Sequence, residues 1–128
     1  MVVNKQRREL LLLRGEALLR SYRVAIGRDP IGHKAREGDC RTPEGSYVID
    51  RRNPNSAFHL SLHISYPNEA DRERARALGC DAGCDIMIHG GKERLQSEGT
   101  RGCIAVTDEE IEEIWSLVEE GTPIQINP

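Results

Sequence analysis

The chain has 128 residues, of which 38% are apolar and 30% charged, with a formal net charge of −3. That length fits one domain, residues 1–128, able to bury a core without metal or disulfide staples, and the composition excludes a disordered chain. The mixed charge and the 4% aromatic content exclude a basic nucleic-acid face or a base-stacking surface.

No run approaches the ~20 apolar residues that span a bilayer. The longest aliphatic run, "LLLL" at 10–13, is flanked by charge, too short for a signal-peptide core and followed by no small-residue cleavage site. No export signal is therefore read within this sequence, which leaves a cytoplasmic location or a signal outside this sequence as the alternatives. The four cysteines, Cys40, Cys80, Cys84 and Cys103, could form two disulfides in three connectivities. If Cys103 is a working thiol, at most one further pair remains. A domain of this size does not need a disulfide to fold, so mostly reduced cysteines are expected.

In chain order, "RRELLLLRGEALLRSYRVAIG" (7–27) predicts a hairpin turning at Gly15, which can take the positive φ a tight turn needs. "GRDPIGHKAREGDCRTPEG" (27–45) is a long loop, with Asp39 and Thr42 as its natural hydrogen-bonding residues. "SYVIDRR" (46–52) is a strand. "FHLSLHISY" (58–66) alternates, placing Phe58, Leu60, Leu62, Ile64 and Tyr66 on a core face and His59, Ser61, His63 and Ser65 on a polar one. "PNEADRERARALG" (67–79) predicts a short helix, capped near Asn68 and stopped by Gly79. "CDIMIHG" (84–90) is a buried strand, 91–102 a polar loop and "CIAV" (103–106) a short strand. "TDEEIEEIWSLVEEG" (107–121) is the clearest helix. Thr107 and Glu110 form a capping box, and Ile111, Ile114, Trp115 and Val118 make one apolar stripe. "PIQI" (123–126) is the last strand. Many strands and two helices predict a mostly-β domain.

Taken with Gly102 alone, Cys103 reads most simply as a small buried apolar residue. Three neighbours point to chemistry instead. Gly102 leaves room around the sulfur. Thr100, Arg101 and Gly102 bring polar and cationic groups to the thiol, and a nearby cation favours thiolate. Finally, His89 ends an apolar strand. A cysteine nucleophile needs a base at neutral pH, histidine is the usual one, and the base wants an orienting acceptor. No acid adjoins His89 in sequence, so a backbone carbonyl such as that of Gly90 is the candidate. Backbone N–H groups near Gly102 and Cys103 are the candidate oxyanion donors.

With these residues in view, "IHGG" followed by "TRGCIAVTDEEIEEIW" resembles the signature of the YkuD-type L,D-transpeptidase catalytic domain. That signature is a His-Gly strand end, a loop, then Ser/Thr-x-Gly-Cys and a helix. "GDCRTPEGSYVI" (38–49) is similar to the family's upstream segment, while "FHLSLHISYPN" and "GCIAVTDEEI" point to its YafK-like branch. The resemblance covers nearly the whole chain. It implies a β-sandwich-like fold with two short helices packed on the sheet and no cofactor or metal. It makes Cys103 the nucleophile, His89 the catalytic histidine, Gly90 the carbonyl that orients it, and Gly102 with Cys103 the oxyanion-forming segment. The implied reaction is attack on a peptidoglycan stem peptide between an L-configured centre of a diamino acid and a D-amino acid. A thioester acyl-enzyme forms and passes its acyl group to an amine. Water as acceptor would make the enzyme a carboxypeptidase or murein hydrolase. Such a substrate implies the periplasm or cell envelope. Arg101 stands where many members have histidine, Ala105 departs from the usual arginine or asparagine, and the loop from Gly90 to Gly99 is short. Transfer and hydrolysis are therefore both left open.

His59 and His63, at i and i+4 of one strand, and Cys80 and Cys84 suggest a rival: a non-catalytic zinc-binding module. Residues four apart on a strand are about 13 Å apart, too far to share one metal. His59 and His63 are read instead as lining the substrate groove or a solvated face. Lys92, Arg94 and Arg101 could clamp a stem-peptide carboxylate, diluted by Glu93 and Glu98. Arg101, closest to the nucleophile, and Thr100 are the stronger substrate-binding candidates.

Overall fold

The structure, a computed structural model, describes residues 1–96 and 99–128. Eight strands and two helices follow the order β1 (Val2–Asn4), β2 (Glu9–Arg14), β3 (Ala17–Arg23), β4 (Gly45–Ser56), β5 (His59–Ile64), α1 (Glu69–Ala77), β6 (Met87–His89), β7 (Ile104–Ala105), α2 (Asp108–Leu117) and β8 (Pro123–Asn127). The strands form one sheet in the order β3-β2-β1-β8-β4-β5-β6-β7. The β1–β8 and β6–β7 pairs are parallel and the other pairs antiparallel. Past β3 the chain reaches the far edge of the sheet, where Ala25 and Ala105 exchange both backbone hydrogen bonds (2.9 and 2.8 Å). The sheet is thereby curled, with residues 25–28 alongside the segment that carries Cys103. The mostly-β architecture with two helices is as the sequence predicts.

The core is aliphatic. Ile49, Leu62, Ile64, Ile88, Ile104, Ile111 and Ile114 are fully shielded from solvent, each worth roughly 1.5–3 kcal/mol of burial. Both predicted helix caps form. Asn68 accepts from the Asp71 amide and Thr107 from the Glu110 amide, each answered by a reciprocal bond. The second helix is shorter than its periodicity suggests. Val118 turns extended (φ −123°, ψ 125°) to keep its side chain in the core. Trp115 is half-buried, beneath the Arg52 guanidinium at 3.9 Å from its ring centroid.

Two elements depart from the sequence reading. Strand β1 escapes its notice because three residues are too few for a period; it is held between β2 and β8. Phe58, predicted on the core face, is 43% exposed. His59 has φ +76°, which breaks the pleat at the β4–β5 hairpin tip and frees Phe58 from the alternation.

The loop at 27–45 is as irregular as predicted but far from loose. Lys5 is buried, and its ammonium donates to the Gly32 and Thr42 carbonyls (both 2.8 Å) and to Glu44 (2.9 Å). Asp39 accepts from the amides of Ala35, Arg36 and Arg41 at 2.8–3.1 Å. His33, Asp71, Tyr47 and Arg74 then tie the loop to α1. The Asp71 carboxylate meets His33 Nε2 at 2.8 Å, the Tyr47 hydroxyl at 2.8 Å and Arg74 at 2.6 Å.

Candidate active site

Parallel pairing of β6 with β7 sets Ile88 beside Ile104 and His89 beside Ala105. The strand end carrying His89 and the segment carrying Cys103 therefore lie on neighbouring strands. Thr100 acts as a clasp beneath the second. Its hydroxyl donates to the Cys103 carbonyl (2.6 Å) and accepts from the Gly102 amide (3.0 Å). Its backbone bonds across to Ile26 and Arg28 (2.8 and 2.9 Å). Thr42 completes the support from the long loop, accepting from the Gly27 amide (2.9 Å) and donating to the Gly102 carbonyl (2.8 Å). Gly102 is required here: its φ is +140°, and a β-carbon would meet the Arg41 carbonyl at 2.8 Å.

His89 and Cys103 line one cleft of about 490 Å³, with Phe58, Arg28, Thr100 and Arg101. A second concavity of about 450 Å³, walled by Lys34, Cys40 and Cys84, shares Asp85, Arg101 and Cys103 with the first. The His89 ring is buried and stacked on Phe58, centroids 4.2 Å apart and planes at 21°. Its Nδ1 lies 2.5 Å from the Gly90 carbonyl oxygen. A carbonyl can only accept, so Nδ1 carries the proton and Nε2 is the ring's acceptor. Burial pushes the imidazole below its ordinary titration range, opposed by the Gly90 bond. Gly90 has no room for a side chain; a β-carbon would meet the Asp108 carboxylate at 2.6 Å and the Phe58 carbonyl at 2.8 Å.

The Cys103 thiol donates to the Asp85 carbonyl at 3.3 Å. Burial raises its titration above the ordinary thiol range. A backbone contact from Met87 opposes the rise, the Asp85 carboxylate adds to it and Lys34 counters it. Lys34 is the cation the sequence reading missed. It looks like one more charge in a polar loop, yet it is buried and held by Asp39 at 2.9 Å. Arg101 is exposed at the junction of the two concavities. Of the other two cations expected to clamp substrate, Arg94 is paired with Asp108 (2.6 and 3.0 Å) and Lys92 donates to the Arg23 carbonyl (2.9 Å). Glu98 lies outside the described residues. The Gly102 amide, expected to help an oxyanion, is bound to Thr100 instead, so Gly102 shapes the segment. His63 shares a strand face with Ser61, which pairs with His89, whereas His59 lies at the break in the pleat. Neither lines the cleft. His59 meets Glu112 at 2.7 Å and His63 meets Asp50 at 2.6 Å.

Residues 1–126 match the YkuD model, an L,D-transpeptidase catalytic domain. The chain belongs to this family. It is 35% identical over 103 residues to YafK of Escherichia coli (strain K12), covering 79% of this chain and 37% of YafK. It is also similar to the helical cell shape determining protein Pgp2 of Campylobacter jejuni (26% identity, TM-score 0.76, 98% of this chain and 46% of Pgp2). An L,D-transpeptidase of Xylanimonas cellulosilytica, at 14% identity, shares the fold (TM-score 0.69, 98% of this chain and 58% of that one). The chain spans little more than a third of the length of YafK. No helix among the described residues is long and apolar enough to cross a membrane, and no group of three or more His, Cys, Asp or Glu among them could hold a metal ion.

Proposed function

We propose that this domain is a cysteine acyltransferase acting on peptidoglycan stem peptides, working in the cell envelope. The observation that carries the reading is the His89 ring. It is buried and proton-donating at Nδ1 to Gly90, which leaves Nε2 as a base in the same cleft as Cys103. Burial disfavours both imidazolium and thiolate, so the resting pair is thiol and neutral imidazole. The proton then leaves sulfur as attack begins. The sulfur adds to the carbonyl carbon of the stem's L-centre, its proton passing to Nε2, and the oxyanion is met by the Cys103 N–H. Collapse breaks the C–N bond. The imidazolium protonates the departing D-amino acid, and a thioester remains. An acceptor amine, deprotonated by Nε2, attacks the thioester and restores the thiol. Water in that place gives the free acid. Gly90 orients the ring, Thr100 and Gly102 shape the nucleophile segment, and Arg101 holds a stem carboxylate.

Intact mass after exposure to a carbapenem, which mimics the acyl donor, tests the nucleophile. A covalent adduct on the wild type that disappears in Cys103→Ser is expected; an equal adduct on both overturns the assignment. Incubation with a stem tetrapeptide and an amine then separates the two outcomes. An amine adduct marks transfer, and free acid alone marks hydrolysis.

A further inference from the structure

The Asp85 carboxylate has no place in the mechanism just given, yet it stands beside the nucleophile. Asp85 is common to both concavities that meet at Cys103, and its own carbonyl receives the Cys103 thiol proton at 3.3 Å. Its backbone is left-handed (φ +59°), a conformation that costs free energy and concentrates at binding and catalytic sites. Its side chain is 67% exposed, and among the described residues its basic partners are distant: His63 Nε2 at 3.7 Å and Arg51 at 4.0 Å. His63 is already engaged by Asp50 at 2.6 Å. Asp39, Asp71 and Asp108 each hold a cationic partner at 2.9 Å or less. Asp85 is thus a carboxylate at the reacting sulfur whose cations stay beyond hydrogen-bonding range.

Its presence also works against the resting enzyme. The charge opposes thiolate on Cys103 and raises the titration of the Cys84 thiol next to it. Such a group is explained if the compensating cation arrives with the substrate. We propose that Asp85 is a specificity residue that receives a side-chain ammonium group of the acyl-donor peptide, next to the carbonyl attacked by Cys103. This rests on the acyl-transfer reading above. A primary ammonium fits better than a guanidinium, because Arg51 already stands 4.0 Å from the carboxylate and a compact point charge can enter beside it. Docking would also remove a negative charge from the vicinity of the sulfur, coupling recognition of the peptide to activation of the thiol.

The test compares two stem tetrapeptides, one with a free side-chain amine on its diamino acid and one with that amine acetylated. Both are given to the wild type and to Asp85→Asn. Asparagine takes left-handed φ as readily as aspartate, so the fold is kept while the charge is lost. The wild type is expected to favour the free amine by about 10- to 100-fold in kcat/KM, the range of a charged hydrogen bond. Asp85→Asn is expected to lose that preference. Its Cys103, followed by peptide mapping, should also react faster with neutral iodoacetamide when no peptide is present. Equal turnover of both peptides by the wild type, or an unchanged preference in Asp85→Asn, overturns the role of Asp85 and leaves acyl transfer standing. Absence of turnover with both, and no protection of Cys103 from alkylation by either, overturns the acyl-transfer reading and this proposal with it.

Discussion

Two histidines in this domain are held in opposite ways. His33 accepts from the Glu44 amide at Nδ1 (2.7 Å) and meets Asp71 at Nε2 (2.8 Å), so both ring nitrogens are occupied. Among the described residues His89 is tied only through Nδ1, to a carbonyl, and its remaining nitrogen belongs to a ring that lines a cleft. Around His33 the acid, the tyrosine and the cation close on one another. Around Cys103 the neighbouring acid, Asp85, stays more than 3.5 Å from its cations. A polar cluster whose groups satisfy one another holds a loop in place. One that keeps an acceptor open beside a thiol is equipped to meet something from outside.

The sharpest way to break this contrast is to delete the chemistry on the open side. Cys103→Ala should abolish turnover of a stem peptide, a loss beyond about 10⁴-fold, with no loss of melting temperature. Release of the terminal D-amino acid, measured beside a thermal melt, checks both halves. His89→Gln should cost about 10²–10⁴-fold in kcat, the range for a general base, because glutamine fills the space and offers no nitrogen that takes up a proton. On the closed side the effect should reverse. Asp71→Ala removes the acceptor of Tyr47, His33, Arg74 and the Asn68 amide at once. It should destabilise the fold by about 3 kcal/mol, leaving kcat of the remaining folded protein within a few-fold of wild type. Chemical denaturation with parallel kinetics decides. A kcat loss as large as that of His89→Gln would mean that the two clusters are not separate.

Thr42 sits between the two regions and sharpens the comparison. It belongs to the loop that His33 ties down, and its hydroxyl bonds the Gly102 carbonyl next to the nucleophile. Thr42→Val keeps the shape but strands the Gly27 amide and the Gly102 carbonyl. A loss of about 1–3 kcal/mol together with a measurable fall in kcat is expected. A stability loss with kcat unchanged would show that the loop supports the fold and not the site.

Sequence alone makes the open cluster more legible than the closed one, for a physical reason. Cys103, His89, Gly90, Gly102 and Thr100 lie in two short phrases at the ends of neighbouring strands, so local pattern brings them together. The helices and the main hairpins are legible for the same reason, since their periods and caps are local. The His33 cluster joins residues 33, 47, 71 and 74 across a loop, a strand and a helix, and no period or spacing links them. Lys34 and Asp85 are hidden similarly. Each reads as an ordinary loop charge until the fold brings it to a concavity that Cys103 also lines. Phe58 misleads in the other direction, because a positive φ at His59 ends an alternation that composition alone would extend.

The smallest effect separates the clusters by pH. Burial lowers the titration of His89 below that of a histidine in the unfolded chain. The unfolded chain therefore binds this proton more readily, and stability must fall with acidification once pH drops through about 6.5, the unfolded value. The slope from this one group cannot exceed about 1.4 kcal/mol per pH unit, and the loss ends once folded His89 is also protonated. Asp39 and Asp71 are shifted in the same direction as His89 but for a different reason: burial raises them, and their hydrogen bonds outweigh it and hold them low. Their stabilisation is intact above the unfolded carboxylate value of about 3.9 and is lost only below it. Two windows follow, an upper one belonging to the open cluster and a lower one shared by the acids of the loop. The difference in unfolding free energy between wild type and His89→Gln, followed from pH 7.5 to 4.5, should change through the upper window. The same difference between wild type and Asp71→Asn should change only below it. If His89→Gln leaves the upper window as steep as in the wild type, the folded imidazole takes up its proton as readily as in the unfolded chain, and burial does not hold the base neutral.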